Sequence, residues 1–222
     1  MSAEPLLRPR SWERDLAPFF NADAPGRHIV FDDFLSEPAF HRVREELLSS
    51  WEWHYRAQPG YVLCQELRQA GMALAVAQEV ELHMQAFDSS LAICERWAFL
   101  HQRPFDKFVH TDVGSYVLTV WLTSEQWDRS PETSGITLYS LARPSGMDNV
   151  REETSRYFEA MRPAVARYVP YRENRAVVFP ASTFHAIGPC DFDVSTTGRM
   201  RCSMTVILDS PDHWGDQHRS NE

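Results

Sequence analysis

The residues best suited to chemistry in this 222-residue chain form one short run, Val109-His110-Thr111-Asp112. Side chains two residues apart on a β-strand project from the same face of the strand. His110 and Asp112 can therefore present an imidazole and a carboxylate to a single metal ion. A lone His-x-Asp triplet arises readily by chance, so the interpretation needs support from elsewhere in the chain.

Two features further along the chain supply that support. His185 follows a strand-like run, Ala176–Phe179, and a short turn, and it can reach the first two residues from a second strand. Two histidines and one carboxylate on one face match the facial triad of non-haem Fe(II) oxygenases, which leaves coordination positions open for a co-substrate and O₂. Arg201 and Ser203 share one face of a later strand, where they can bind the far carboxylate of a dicarboxylate whose keto-acid end chelates iron.

The second half of the chain predicts the elements that hold these residues. Short β-like runs alternate with turn residues, which is typical of a sandwich or barrel. The predicted strands are Ala92–Leu100, Phe108–Val109, Tyr116–Thr123, Gly135–Tyr139, Ala176–Phe179, His185–Ile187 and Arg201–Leu208. One helix, roughly Asn149–Val165, interrupts them.

The first 90 residues predict a supporting layer. Four prolines among polar residues predict an extended arm over 1–27, and residues 28–34 predict a strand. Helical spacing of apolar residues predicts helices over 36–50 and 65–87. We therefore predict a single domain with helices packed on a β-sandwich. Its parts are the arm (1–27), the supporting strand and helices (28–90), the β-core (91–208) and a polar tail (209–222).

Composition excludes several classes of protein. The chain is 43% hydrophobic and 12% aromatic, as expected of a packed globular protein. Its net charge of −9 argues against a general nucleic-acid binder. No apolar run approaches the roughly 20 residues that span a bilayer, so no membrane association is expected. Four cysteines without a CxxC pair predict free thiols and a reducing, cytoplasmic location.

From Arg96 to Leu208 the sequence resembles the 2-oxoglutarate and Fe(II)-dependent dioxygenases, particularly their prolyl-hydroxylase-like branch. The resemblance rests on five segments in order: FVHTD, YVLTVWLTSEQWD, SGITLYSL, RAVVFPASTFHAIGP and RMRCSMTVIL. It departs from the family pattern at Ser134 and Asn174, where the family tends to have glycine. Asparagine tolerates left-handed backbone geometry, so the turn at Asn174 can be kept.

The resemblance implies a fold, cofactors and residue roles. The fold would be a double-stranded β-helix, or jelly roll, with an N-terminal helical layer. His110, Asp112 and His185 would bind Fe(II), and Arg201 would bind the C5 carboxylate of 2-oxoglutarate beside Ser203. Thr119 and Trp121 occupy the region of another co-substrate contact in the family. The implied reaction uses O₂ to hydroxylate a C–H bond while 2-oxoglutarate becomes succinate and CO₂, with no catalytic residue beyond the metal ligands.

The substrate is less constrained than the chemistry. Prolyl hydroxylases tend to carry a tyrosine where this chain has Leu100, and we expect no accessory domain for binding a protein. We therefore expect a small molecule, such as an amino acid or natural-product intermediate. Arg199, Tyr116 and Tyr139 are candidate substrate contacts. The polar segments 124–134 and 142–155 are candidate lids.

Two alternatives stay open from the sequence. One is a dioxygenase acting on a protein side chain, such as a prolyl residue. The other is a cupin-like metal-binding or sensor domain without turnover, which would keep the His and Asp ligands but would not need Arg201 and Ser203. The sequence does not predict the oligomeric state.

Overall fold

The computed structural model describes residues 4–56, 62–68, 71–143 and 166–210. Within these ranges the helices are α1 (Trp12–Asn21), α2 (Glu37–Ser49) and α3 (Met72–Gln85). The strands are β1 (Ile29–Phe31), β2 (His54–Arg56), β3 (Val62–Glu66), β4 (Ala92–His101), β5 (Phe105–His110), β6 (Tyr116–Trp121), β7 (Ile136–Ala142), β8 (Ala166–Val169), β9 (Ala176–Pro180), β10 (Thr183–Cys190) and β11 (Arg201–Asp209). None of the described helices is long and apolar enough to cross a membrane.

The strands form two antiparallel sheets that face each other as a jelly roll. The seven-stranded major sheet has the order β1-β9-β6-β11-β4-β3-β2, and the four-stranded minor sheet has the order β5-β10-β7-β8. Alternate residues of each strand point into the space between the sheets. In the major sheet Val117, Trp121 and Ile207 face inward, and Ile136 and Leu138 do so from the minor sheet. The predicted jelly-roll fold is confirmed.

The helices cover the outer face of the major sheet and confirm the predicted helical layer. Val43 of α2 and Val76 of α3 are fully buried. They belong to the same hydrophobic cluster as Leu118 of β6 and Met204 of β11, whose side chains face the helices. The major sheet is therefore apolar on both faces, since one face packs on helices and the other on the minor sheet.

Two N-terminal predictions were wrong. Residues 1–27 are not wholly extended, because α1 buries Leu16 and Phe19 at helical spacing against the major sheet. The helix predicted over 65–87 is shorter, because Gln65 and Glu66 finish strand β3. Helix α3 begins after Gly71, where the Glu46 carboxylate of α2 accepts hydrogen bonds from the first backbone N–H groups of the helix.

Other predictions fall partly outside the described residues. The helix predicted over 149–165 lies entirely outside the described residues. So do most of the candidate lid 142–155 and the polar tail beyond residue 210. The described strands match the predicted ones with shifts of a few residues at their ends. Strands β2, β3 and β8 were not predicted as strands.

The turn before β9 keeps the geometry expected of a glycine. Asn174 has φ 55°, a left-handed conformation that asparagine tolerates. Its side chain also donates to the Leu35 carbonyl and accepts from the Leu35 N–H, at 3.0 and 2.9 Å. These bonds tie the entrance of β9 to the chain just after β1, which fixes the edge of the major sheet.

All four cysteines are free thiols, and Cys202 on β11 is completely buried against the helical layer. Burial raises the pKa of the Cys202 thiol to about 12. The unfolded chain ionises this thiol near pH 9, whereas the folded protein keeps it protonated. We therefore expect stability to fall by up to about 1.4 kcal/mol per pH unit between pH 9 and 12 from this group.

Urea unfolding of the wild type and of Cys202→Ala at pH 8 and pH 10 measures this effect. The wild type should lose more stability between the two pH values than the variant does. An equal loss in both proteins would contradict the prediction.

Candidate active site

Three potential metal ligands meet between the two sheets at one end of the minor sheet. His110 is the last residue of β5, and its Cα pairs directly with that of His185 on β10. Asp112 follows β5, and its backbone N–H donates to the Ala181 carbonyl at 2.9 Å. This bond fixes Asp112 against the turn that leads into β10. The predicted triad is therefore brought together in space.

The donor atoms of the triad are close and protected from solvent. Asp112 Oδ2 lies 3.4 Å from His185 Nε2, and Asp112 Oδ1 lies 3.9 Å from His110 Nε2. All three side chains are buried, and their donor atoms lie within 4.8 Å of one another. Metal–nitrogen bonds of about 2.1 Å allow donor separations up to about 4.2 Å, so both measured separations suit a shared divalent ion.

The orientation of His185 also suits metal binding. Its Nδ1 lies 3.0 Å from the Thr183 carbonyl and donates to it, which leaves the Nε2 lone pair facing Asp112. The ring of Phe179, from the major sheet, packs edge-on against the imidazole at 4.8 Å. A hydrogen bond and an aromatic contact therefore hold this ligand in place.

The second element of the site is a buried cation. Arg201 begins β11, is 1% exposed, and points between the sheets. Among the described residues no carboxylate pairs with its guanidinium, and its Nε has no hydrogen-bond partner. Three aromatic rings lie around it instead: Phe105 and Tyr171 at 5.5 Å and Trp121 at 6.0 Å. A desolvated guanidinium with only ring faces around it is suited to bind an anion.

Thr123 fixes the backbone on both sides of Arg201. Its Oγ1 donates to the Met200 carbonyl at 2.7 Å and accepts from the Cys202 N–H at 2.9 Å. The Tyr171 hydroxyl in turn donates to the Thr123 carbonyl at 2.7 Å and accepts from its N–H at 3.2 Å. Sequence reasoning missed both supporting residues, because each acts through contacts between strands that are distant in the chain.

We expect Thr123→Val to loosen this support without changing side-chain shape. The variant leaves the Met200 carbonyl and the Cys202 N–H without their partner, at a cost of about 1–3 kcal/mol. Urea unfolding should show this loss, and 2-oxoglutarate should bind more weakly. Thr137→Val, on the outer face of β7, is the matched control and should be close to neutral. Equal stability of the two variants would contradict the role assigned to Thr123.

Three further co-substrate candidates lie on the inward face of the major sheet. Ser203 is buried on β11, directly opposite Trp121 on β6. Trp121 stacks on Tyr171 with ring centroids 4.9 Å apart. Thr119 accepts a hydrogen bond from the Thr205 hydroxyl at 3.4 Å. All three share the inner face with Arg201, and their contact with a co-substrate stays a prediction.

The structure does not gather the three predicted substrate contacts around the triad, and their contact with a substrate stays a prediction. Tyr116 points to the opposite face of the major sheet, where it contacts Phe19 and Phe20 of α1. Tyr139 lies on the outer face of the minor sheet, in the cluster around Phe184. Arg199 precedes the strand that holds Arg201, and lies in a short 3₁₀ turn.

Arg199 contacts residues of two neighbouring loops. It pairs with Asp193 at 3.1 Å and stacks over the Trp127 ring at 4.0 Å. Trp127 belongs to the candidate lid 124–134. An isolated β-bridge between Asp128 and Phe192 connects this segment to the loop that contains Asp193. The serine at position 134 donates to the Asp128 carboxylate, so the departure from glycine there helps to fix the segment.

No protein-family model matches this sequence, and no curated protein matches it either. Many solved structures share its fold. The epimerase SnoN from nogalamycin biosynthesis, in complex with Fe³⁺, α-ketoglutarate and nogalamycin RO, is 16% identical with a TM-score of 0.64. That match covers 90% of this chain and 84% of SnoN.

Two other matches are with bacterial proteins. HygX from Streptomyces hygroscopicus, with nickel, 2-oxoglutarate and hygromycin B bound, is 13% identical at a TM-score of 0.58, over 89% of this chain and 87% of HygX. A prolyl-4-hydroxylase from Pseudomonas putida is 14% identical at a TM-score of 0.56, over 88% and 95%. At these identities the matches show that the chain has the fold of such enzymes.

Proposed function

We propose that this protein is an Fe(II)- and 2-oxoglutarate-dependent dioxygenase that hydroxylates an aliphatic carbon of a small molecule. The observation that carries the proposal is the pairing of two buried sites between the same two sheets. One is the His110–Asp112–His185 cluster, and the other is the unpaired guanidinium of Arg201. A metal-binding domain without a dicarboxylate co-substrate has no use for a desolvated, unpaired cation, which costs stability.

Each residue has a defined task in this proposal. The triad would hold Fe(II), which when bound supplies the O₂ chemistry together with 2-oxoglutarate. Arg201 would hold the far carboxylate of 2-oxoglutarate, and the Ser203 hydroxyl would lie beside it. The surrounding rings of Phe105, Tyr171 and Trp121 exclude water from that carboxylate and so strengthen its attraction to the guanidinium.

A small-molecule substrate is supported by analogy. SnoN and HygX have been solved with nogalamycin RO and hygromycin B, whereas the Pseudomonas putida enzyme is a prolyl-4-hydroxylase. The fold therefore serves both substrate classes. Leu100, where prolyl hydroxylases tend to have tyrosine, is buried on β4 and points to the helical layer, so its identity does not bear on the substrate class.

Anaerobic titration of the protein with Fe(II) and 2-oxoglutarate tests the chemistry. A visible metal-to-ligand charge-transfer band should appear only when both are present. Folded protein that gives no such band would overturn the proposal. Where the band forms, the rate of succinate release distinguishes the proposed small-molecule hydroxylase from the two alternative functions. Release stimulated by peptides but not by small molecules would indicate a protein hydroxylase, and release that never exceeds background would indicate a sensor domain.

A further inference from the structure

A row of paired residues crosses the minor sheet from the metal ligands to an arginine. His110 pairs with His185, His185 with Leu138, and Leu138 with Arg167, each on the neighbouring strand. Directly paired residues of antiparallel strands place their side chains on the same face. Strands are spaced about 4.8 Å apart, so the Arg167 backbone lies about 10 Å from that of His185 on the inner face.

A cavity of about 620 Å³ lies at the arginine end of this row. One wall is the inner face of β7 and β8, including Leu138 and Arg167, and the other is the chain from α1 to β1, including Phe19, Arg27 and His28. Leu138 lies in the cavity wall and is also the cross-strand neighbour of His185. It lies on the opposite side of His185 from His110.

The chain from α1 to β1 is held closely against β7. Gly26 has φ 75°, and a Cβ at this position would lie 2.7 Å from the Tyr139 carbonyl oxygen. Only glycine fits this approach without displacing the backbone. The next residue, Arg27, is therefore positioned over the cavity by a fixed turn.

The charges in the cavity wall favour an anion. Arg167 has no carboxylate partner among the described residues. The Nε of Arg27 is buried without a hydrogen-bond partner, and its Nη1 lies 3.7 Å from Asp23, whose carboxylate is fully exposed. The acidic residue in the wall, Asp15, is already paired with Arg14 at 3.0 Å.

The rest of the wall is largely apolar, with Pro18, Phe19, Ile29 and Leu138. The cavity thus combines an apolar surface, in which Leu138 is paired with His185, with two guanidinium groups. Guanidinium groups bind carboxylate, sulfate and phosphate with charge-assisted hydrogen bonds.

We propose that this cavity binds the primary substrate, and that the substrate carries an anionic group held by Arg27 and Arg167. The apolar part of the substrate lies against Leu138 and presents its C–H bond toward the metal. This inference rests on the proposed function and adds to it the substrate class and two specificity-determining residues. It replaces Arg199, which pairs with Asp193, as the anchor for an anionic group.

The test uses protein loaded with Zn(II) and saturating 2-oxoglutarate, so that Arg201 is occupied and no turnover takes place. The probes are 4-fluorobenzoate and its neutral counterpart 4-fluorobenzamide, with binding followed by ¹⁹F NMR line broadening. We expect the benzoate to bind saturably and the benzamide at least about 10-fold more weakly. Arg27→Gln and Arg167→Gln should each weaken benzoate binding by about 10-fold or more. Arg68→Gln, an exposed arginine just after β3 that pairs with Glu66, is the matched control and should bind like the wild type.

Replacing Zn(II) with Mn(II) tests the position of the probe. The benzoate fluorine should relax faster in the Mn(II) protein than in the Zn(II) protein, because the ring points toward the metal. Any one of four results would overturn the inference. These are no binding of the benzoate, equal binding of the benzoate and the benzamide, unchanged benzoate binding in both arginine variants, or no faster fluorine relaxation in the Mn(II) protein. The Fe(II) charge-transfer titration is run on the same preparation. A missing band indicates failure of the proposed function, whereas a normal band with any of these results indicates failure of the substrate assignment alone.

Discussion

Asp112→Ala is expected to remove high-affinity Fe(II) binding and to reduce 2-oxoglutarate turnover by about 10³-fold or more. Asp112 is the only carboxylate of the described triad and lies within 3.9 Å of both imidazoles, so its loss leaves two neutral ligands. Equilibrium dialysis with Fe(II) under nitrogen gives the affinity and the stoichiometry. Alanine removes a carboxylate that a loaded metal would neutralise, so the variant should still fold.

The matched control is Asp209→Asn, which changes a buried aspartate outside the triad. Asp209 accepts a hydrogen bond from the Ser115 hydroxyl at 2.7 Å, and asparagine can still accept it. The control should bind one Fe(II) per chain with unchanged affinity. One tightly bound Fe(II) per chain in Asp112→Ala would contradict the assignment of the ligand.

Arg201→Met is expected to have two effects of opposite sign. It should weaken 2-oxoglutarate binding by at least about 100-fold, since the charge-assisted hydrogen bonds to the far carboxylate are lost. Without 2-oxoglutarate the same variant should be more stable than the wild type by about 1–2 kcal/mol. Methionine fills the space among the three rings and removes an unpaired buried charge, whose desolvation the ring contacts offset only in part.

Arg175→Met provides the contrast for the stability measurement. Arg175 is largely buried but pairs with Asp32 at 2.6 Å, so its replacement should destabilise the protein. Urea unfolding without ligand compares the two variants, and thermal unfolding with added 2-oxoglutarate reports co-substrate binding. A loss of stability in ligand-free Arg201→Met, or a normal shift of Tm with 2-oxoglutarate, would argue against an arginine kept for an anionic co-substrate.

The sequence predicted that His110, Asp112 and His185 come together, in part because the His110–Asp112 signal is local. His110 and Asp112 share a strand face by spacing alone, and the order of motifs brought in His185 and Arg201. The direct pairing of His185 with His110 depends on how β5 and β10 align across many intervening residues. No short-range pattern carries that information.

The aromatic residues show where strand periodicity fails. Tyr116 was expected inside, yet Val117 occupies the inner face and Tyr116 faces the helices. Both faces of the major sheet are apolar, so alternation of polar and apolar residues does not indicate which face is inward. The same holds for Tyr139. Its neighbour Leu138 faces inward and pairs with His185, whereas Tyr139 itself lies in the cluster on the outer face of the minor sheet.

Longer-range features lay beyond any reading of the sequence. The row from His110 to Arg167 needs the registers of four strands at once. Helix α1 was missed because its prolines indicated an arm, although Pro18 lies inside the helix. Packing of Leu16 and Phe19 on the sheet outweighs the local cost of that proline.

The place of β11 has a consequence for how the protein is made. It is the last described strand in the chain, yet it lies in the middle of the major sheet between β6 and β4. The ribosome therefore delivers the central strand after every neighbour that must pair with it, and β6 and β4 wait with open edges meanwhile. Arg201, which we propose binds the co-substrate, arrives on this same strand. Nascent chains that stall before residue 201 thus expose the unpaired edges of β6 and β4.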